Sequence, residues 1–345
     1  MDVVTYQCAN CGSTLAFDIA SNSWKCAFCG GEFTLDQLDG LEKTQEKMVE
    51  PTATYGEDAI AYNCPSCGGR IITDANTAAT FCPYCHNPTV IASRIADEFI
   101  PDRLLPFKIT KQKAIEELMA LCNRSPLTPD NFIQYAKKGE ITGLYVPFFL
   151  YDCDVSSHLV GTGEKIERWS DSEYNYVKTD TYHVERSAAM VVSNLPVDSS
   201  IKMDDTLMKA IEPFDYSQME NFTMQYLSGY SADNFDLDTE TALKQFVDRL
   251  EDQVGGVMKG LVTGYERTNT ERINVQPQNI ARHYVLLPVW FLSAKYNDET
   301  YTFAMNGQTG KAVGKLPSDN GKLVKPCLTA FILIFLLIYI GGALL

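Results

Sequence analysis

Apolar residues recur every three to four positions in two stretches of this chain, and each stretch predicts an amphipathic helix. In KQKAIEELMALC, Ile115, Leu118, Met119 and Cys122 share one face, and Thr110 stands where an N-cap belongs. TETALKQFVDRLEDQV repeats the pattern with Leu243, Phe246, Val247, Leu250 and Val254, behind Asp238. A strand-like run follows each helix: GLYVPFFLYDCDV after the first, HYVLLPVWFLSAKY after the second. Both runs combine Tyr, Pro and bulky apolar residues: Tyr145, Pro147, Phe148 and Phe149, then Tyr284, Pro288, Val289 and Trp290. Helix-then-strand, met twice, predicts a weak internal repeat. Each proline withdraws a ladder donor, which predicts an edge position or a bulge.

Strict alternation marks the last polar-rich segment. In ETYTFAMNGQTGKAVGKLP, Tyr301, Phe303 and Met305 alternate with Thr302, Ala304 and Asn306. Asn306-Gly307 offers the positive φ angles of a tight turn, with Thr309-Gly310 just beyond, so a hairpin is expected. Beyond it the pattern changes again. LTAFILIFLLIYIGGALL runs from Leu328 to Leu345 without a charge. As a helix it would rise about 27 Å, barely enough for a hydrocarbon core, and a buried core helix is the alternative. Lys322 and Lys325 precede it, which by the positive-inside rule puts the bulk of the chain in the cytoplasm. The expectation is a single-pass, C-terminally anchored protein of the cell membrane.

The N-terminal pattern is set by cysteine. CANCGSTLAFDIASNSWKCAFC begins at Cys8 and CPSCGGRIITDANTAATFCPYC at Cys64, each with fourteen residues between two Cys-x-x-Cys pairs. An offset of 56 lays Tyr6, Cys8, Cys11, Gly12 and Leu15 on Tyr62, Cys64, Cys67, Gly68 and Ile71, and Cys26 and Cys29 on Cys82 and Cys85. This is a tandem duplication. Four thiolates hold a zinc ion tetrahedrally, and a Cys-x-x-Cys knuckle brings two of them to one ion, with Gly12 and Gly68 easing the turn. A unit this small cannot bury enough surface to fold alone, and metal binding makes up the deficit. Two structural zinc ions are expected, one on Cys8, Cys11, Cys26 and Cys29, the other on Cys64, Cys67, Cys82 and Cys85; iron is the competing metal. With four sulfurs per ion no position stays open for catalysis. Pro51 and Gly56 interrupt the charged stretch between the cassettes, which predicts ribbons free to reorient.

Charge narrows the partners. The net charge is −15, and residues 1–90 carry four Lys and Arg against eleven Asp and Glu, a balance of −7. Such a surface repels phosphate, so nucleic acid is an unfavoured partner and protein a favoured one. The first residues lack a basic segment followed by an apolar one, and eight of the eleven cysteines lie in Cys-x-x-Cys pairs, the usage of a reducing compartment. Cys122, Cys153 and Cys327 are scattered.

No catalytic residue is expected. His86 adjoins a filled four-cysteine set, and His183 and His283 sit in strand-like runs. His158 follows Asp152, Cys153 and Asp154, whose carboxylates raise rather than lower a thiol's pKa. NGQTGKAV lacks the spacing and hydroxyl of a phosphate-binding loop.

The YxCxxCG cassettes, GLYVPFFLYD, LLPVWFLSAKY and YTFAMNGQTGKAVGKLP together resemble bacterial membrane-anchored proteins with double zinc ribbons of the transcription-factor-B type, often labelled similar to the primosomal helicase PriA. The resemblance implies a scaffold at the inner face of the bacterial membrane. It also implies partners among SPFH-domain and phage-shock-A-like proteins, acting in envelope stress. The expected architecture is α+β. It comprises ribbons over 1–35 and 59–92, a linker over 36–58, antiparallel-sheet/helix subdomains over 93–200 and 201–320, and a transmembrane helix over 327–345. The expected function is a non-enzymatic adaptor; the alternative is a membrane-tethered nucleic-acid-binding protein.

Overall fold

The computed structural model describes residues 3–19, 21–38, 53–55, 59–64, 67–95, 99–138, 141–297, 299–319 and 321–322, with 329, 331–332 and 334–335 near the C-terminus. In chain order the strands and helices begin with β1 (Val3–Val4), β2 (Leu15–Asp18), β3 (Ser23–Cys26) and β4 (Glu32–Phe33). Within the stretch expected as linker, β5 (Ala53–Tyr55) pairs with β6 (Ala59–Asn63) and so extends the second ribbon, which continues with β7 (Arg70–Asp74), β8 (Thr77–Phe81) and β9 (Pro88–Ile91). Then come β10 (Arg103–Leu104), α1 (Lys111–Arg124), α2 (Asp130–Lys138), β11 (Thr142–Ser170) and β12 (Asn175–Asp198). The remainder is α3 (Asp205–Ile211), β13 (Glu220–Asn221), β14 (Ser231–Asp233), α4 (Thr239–Gly260), β15 (Arg267–Tyr296), β16 (Glu299–Asn306) and β17 (Ala312–Gly314). This is the mixed α+β architecture expected.

The two caps act as the sequence predicts. The Thr110 hydroxyl accepts from the N–H of Lys113, and the Asp238 carboxylate from that of Thr241. The buried stripes are shifted slightly. In α1 it is Ala114, Leu118 and Cys122, and in α4 it is Ala242, Phe246, Leu250, Val254 and Met258, with Leu243 turned to solvent. A four-residue spacing keeps one narrow row on the buried side of each helix, so the flanking apolar positions are left at its border.

The chain groups into two units, Met1–Val146 with Lys202–Asn234 and Leu286–Leu345, and Pro147–Ile201 with Phe235–Val285. They interleave along the chain instead of succeeding one another near residue 200. In the first unit, β1 pairs with β9, β9 with β8, β8 with β14, and β14 runs parallel to the start of β11 at Leu144↔Ser231. The same unit holds β10 against β13 and the β15–β16–β17 meander. In the second unit, β12 pairs with β11 from Phe148↔Asp198 to Ser170↔Asn175, β15 lies on the other side of β11, and α4 stacks Phe246 on Tyr151 at 4.5 Å.

The weak repeat is visible in hydrogen bonds. In the second unit, the Ser199 N–H donates to the Pro147 carbonyl at 3.1 Å. The Ser199 carbonyl accepts from Asp236 and Leu237, the two residues before the Asp238 cap. In the first unit, the Gly307 N–H donates to the Pro288 carbonyl at 2.8 Å. The Gly307 carbonyl accepts from Lys108 and Ile109, the two residues before the Thr110 cap. Each unit therefore joins the helix of one copy to the hairpin of the other. In the pairing of β11 with β12 the register shift falls between Tyr151 and Cys153, away from Pro147, and the pairing of β15 with β16 runs from Val289 without a shift. Each proline stands one residue ahead of its hairpin's first pair, Phe148↔Asp198 or Val289↔Asn306.

The C-terminal hairpin forms, but its turn differs from the expected one. The left-handed residue is Gly310, at φ 78°, and Asn306 and Gly307 are not left-handed. Asn306 is fully buried: its Oδ1 accepts from the N–H groups of Gln308 and Thr309, and its Nδ2 donates to the carbonyls of Ile211 and Pro213. Gly307 is required by crowding, since a Cβ there would come 2.6 Å from the Phe107 ring.

Among the described residues no helix is long and apolar enough to cross a membrane. The expected span over 327–345 lies largely outside the described residues, as does Cys327. Of the positions described there, Phe331, Ile332, Ile334 and Phe335 are exposed.

Candidate metal centres

Four knuckles share one backbone design. The N–H of Gly12 donates to the Cys8 carbonyl, that of Gly30 to Cys26, that of Gly68 to Cys64 and that of His86 to Cys82. In each case the donor has a left-handed backbone, with φ of 72°, 71°, 73° and 55° in that order. Gly12 and Gly68 were legible from their place after the first pairs. Gly30 was equally legible by the same rule, whereas His86 was hidden because a histidine does the work of a glycine there.

The knuckles bring the eight expected ligands into two groups of four, with all sulfurs of a group within 4.8 Å of one another. The Sγ of Cys8 lies 3.5 Å from that of Cys29, and Cys11 lies 3.5 Å from Cys26. In the second cluster Cys64–Cys85 is 3.7 Å and Cys67–Cys82 is 3.6 Å. A disulfide would need about 2.05 Å. A tetrahedron with metal–sulfur bonds of about 2.3 Å has edges of roughly 3.8 Å, so each cluster fits one metal ion. Cys8, Cys26, Cys64 and Cys82 are buried, and their four partners are exposed.

The thiols cannot ionise together without a cation between them. Against its desolvation, the Cys26 thiol is drawn down to about 6 by the N–H groups of Cys29 and Phe28 and by its neighbours' thiols. Cys82 is drawn to about 7 in the same way, by Cys85 and Tyr84. Cys11, although it accepts from the Ser13 N–H, is pushed up to about 12 by desolvation and the three thiols beside it. Desolvation and the neighbouring thiols likewise push Cys85 up to about 12. A divalent ion at the centre turns this mutual repulsion into shared attraction.

The ribbons are not free to reorient; both are built into the first unit. The indole N–H of Trp24 donates to the Gln225 carbonyl at 2.8 Å, and Phe17, Trp24 and Tyr226 pack ring against ring at 5.0–5.3 Å. The Phe17 N–H donates to the Ser228 carbonyl, and the Ser228 hydroxyl to that of Leu15. The second ribbon is held by β8 on β14, by Asn234 donating to the Arg94 carbonyl, and by Lys202 at 2.8 Å from Asp74. Val3↔Ile91 and Val4↔Val90 then join the start of the first ribbon to the end of the second. Strand pairing and ring burial fix both ribbons to that unit.

One surface feature repeats with the cassettes. Phe28, between Cys26 and Cys29, is 83% exposed; Tyr84, at the equivalent place between Cys82 and Cys85, is 68% exposed.

Among the described residues, none of the other candidates joins either four-cysteine group. Cys153 is buried, and burial together with Asp154 and Asp152 pushes its thiol up. His158 lies on the opposite face of β11, 3.8 Å from Glu185, which His183 approaches to 3.0 Å. His283 lies 3.5 Å from Asp152. Cys122 is buried in α1.

Fold and clusters together define an α+β protein with two four-cysteine ribbons, each able to hold a metal ion. The chain belongs to the family of the uncharacterized protein YdjG of Bacillus subtilis (strain 168), to which it is 31% identical over 322 residues, 93% of this chain and 92% of that one. No family model matches the chain, and no solved structure is significantly similar to it.

Proposed function

We propose that this protein is a non-enzymatic adaptor, stiffened by two structural zinc ions, that docks protein partners through its ribbon tips while its C-terminal apolar segment holds it to the cell membrane. The observation that carries the reading is the paired exposure of Phe28 and Tyr84. Two aromatic side chains at the same point of a duplicated cassette, both left in water by a fold that buries Trp24 and Tyr62, have the character of interface anchors. Zinc suits an all-thiolate set with no open position, and would supply folding free energy of about 10–16 kcal/mol per site. The uncharged run from Leu328 to Leu345 supports the membrane assignment, and the two lysines before it support a cytoplasmic body. The family resemblance points to SPFH-domain and phage-shock-A-like proteins as the partners to try first.

The test combines fractionation with capture. The full chain should sediment with membranes and yield two zinc equivalents. It should also recover an SPFH-domain or phage-shock-A-like protein, a recovery lost in a Phe28→Ala/Tyr84→Ala double variant that still binds zinc. Recovery of such partners at an unchanged level by the double variant refutes the docking assignment. A second reading has one observation in its favour, because exposed aromatics also stack on unpaired bases. It requires retention of single-stranded nucleic acid at low salt, against a ribbon region carrying −7.

A further inference from the structure

The outer edge of β12 carries a self-complementary sequence. Among the described residues, the only strand paired with β12 is β11, and residues 175–183 are exposed apart from a half-buried Asp180. Which backbone groups face outward follows from two hydrogen bonds on the far side of β11. The Ile166 N–H donates to the Glu266 carboxylate, and the Glu164 carbonyl accepts from the Glu266 N–H. Even-numbered residues of β11 thus turn away from β12, and odd ones bond to it, as Asp171 N–H to Tyr174 carbonyl confirms at the hairpin end. Given Glu167↔Lys178 and Lys165↔Asp180, the odd residues of β12, Val177, Thr179 and Thr181, point their N–H and C=O groups outward.

The exposed edge reads Tyr176-Val177-Lys178-Thr179-Asp180-Thr181-Tyr182. About Thr179 it is complementary to itself. In an antiparallel pairing of two such edges, Lys178 meets Asp180, Tyr176 meets Tyr182, Val177 meets Thr181, and Thr179 meets Thr179. These are the cross-strand pairs that stabilise sheets: opposite charges, aromatics, β-branched residues and paired hydroxyls. The match extends into the neighbouring strands. One row would run Glu167, Lys178, then the second copy's Asp180 and Lys165, with signs alternating throughout. The next would run Trp169, Tyr176 and the second copy's Tyr182. Trp169 and Tyr176 are already stacked at 5.5 Å and 10°, and Lys178 already reaches Asp180 on its own strand at 2.7 Å, a pair that could exchange partners.

We propose that two copies of this chain associate edge to edge through β12, antiparallel and centred on Thr179. Free edges are templates for strand addition, and charge alternation selects this register over neighbouring ones. Shifting the centre to Tyr182 would set Lys178 against Arg186 of the second copy, a like-charge pair.

The experiment is sedimentation of the full chain in mild detergent over a range of concentrations, with circular dichroism as a check on folding. Wild type should pass from one chain to two as concentration rises. Lys178→Asp places like charges at 178 and 180 on both sides of the centre, as does Asp180→Lys. Each alone should weaken association on the order of tenfold. An equimolar mixture of the two variants restores opposite charges at both places and should associate as well as wild type. Thr179→Pro removes an outward N–H without touching the bonds to β11, and should also weaken association. A chain that stays monomeric, an association indifferent to these substitutions, or a mixture no tighter than its components overturns the proposal.

Discussion

The indole of Trp24 donates its N–H to the carbonyl of Gln225, two hundred and one positions along the chain, and in doing so ties a four-cysteine ribbon to the body of its unit. Trp24 lies two residues before Cys26 of the first four-cysteine cluster and is almost fully buried. A metal ion held at Cys26 would therefore be mechanically linked to ribbon docking. Truncating Trp24→Ala should cost about 3–5 kcal/mol of stability, the range for a large buried aromatic, as read by denaturant unfolding. Stripping metal with a chelator should release Trp24 from the Phe17 and Tyr226 rings and shift its emission to the red. Unchanged emission after complete metal loss would separate docking from the metal.

Metal affinity should fall as pH falls. Thiolates bind the ion, and protons compete for them. In the metal-free clusters Cys26 at about 6 and Cys82 at about 7 ionise readily, whereas Cys11 and Cys85, near 12, hold their protons until an ion displaces them. Binding at neutral pH should therefore release protons, detectable as buffer-dependent heat in calorimetry. Cys11→Ser should reduce the metal content from two equivalents to one.

The fourth knuckle contains a correctable flaw. His86 adopts the left-handed φ that Gly12, Gly30 and Gly68 adopt in the other three. His86→Gly should raise stability by up to about 1 kcal/mol, since relief of the left-handed penalty is partly offset by a freer unfolded chain. Gly30→Ala should cost about 1 kcal/mol through φ alone, because a Cβ there meets nothing within 4 Å. Thermal unfolding of both variants tests the pair.

Asp74 gives the second ribbon an acid limit. Burial pushes its carboxyl up, but Lys202, the Thr77 hydroxyl and the Asn76 N–H outweigh it and hold the carboxyl below the usual range. A carboxylate depressed in the folded state contributes stability above its ordinary pKa, and that contribution disappears as pH falls through the folded value. Asp74→Asn should therefore lower stability near neutrality and leave less further loss between about pH 4 and the folded value. Urea midpoints against pH measure this. A variant with an undiminished acid limb would assign the loss to other groups.

What the sequence by itself determined is local. Ligand spacing within a knuckle, a cap three residues from the N–H it receives, and a hairpin of alternating residues all depend on atoms a few positions apart, so their signals lie within short windows. The long interactions have no such window. Nothing in Val3 specifies Ile91, nothing in Trp24 specifies Gln225, and the prolines at 147 and 288 show only that a ladder donor is missing. Only the tertiary structure decided that the ribbons are paired into the first unit's sheet, and that each capped helix meets the hairpin of the other copy, at Gly307 or Ser199. The physical reason is that strand edges and aromatic rings accept many partners. The choice among them is made by which arrangement pairs the strand edges and buries the rings together, a property of the folded whole.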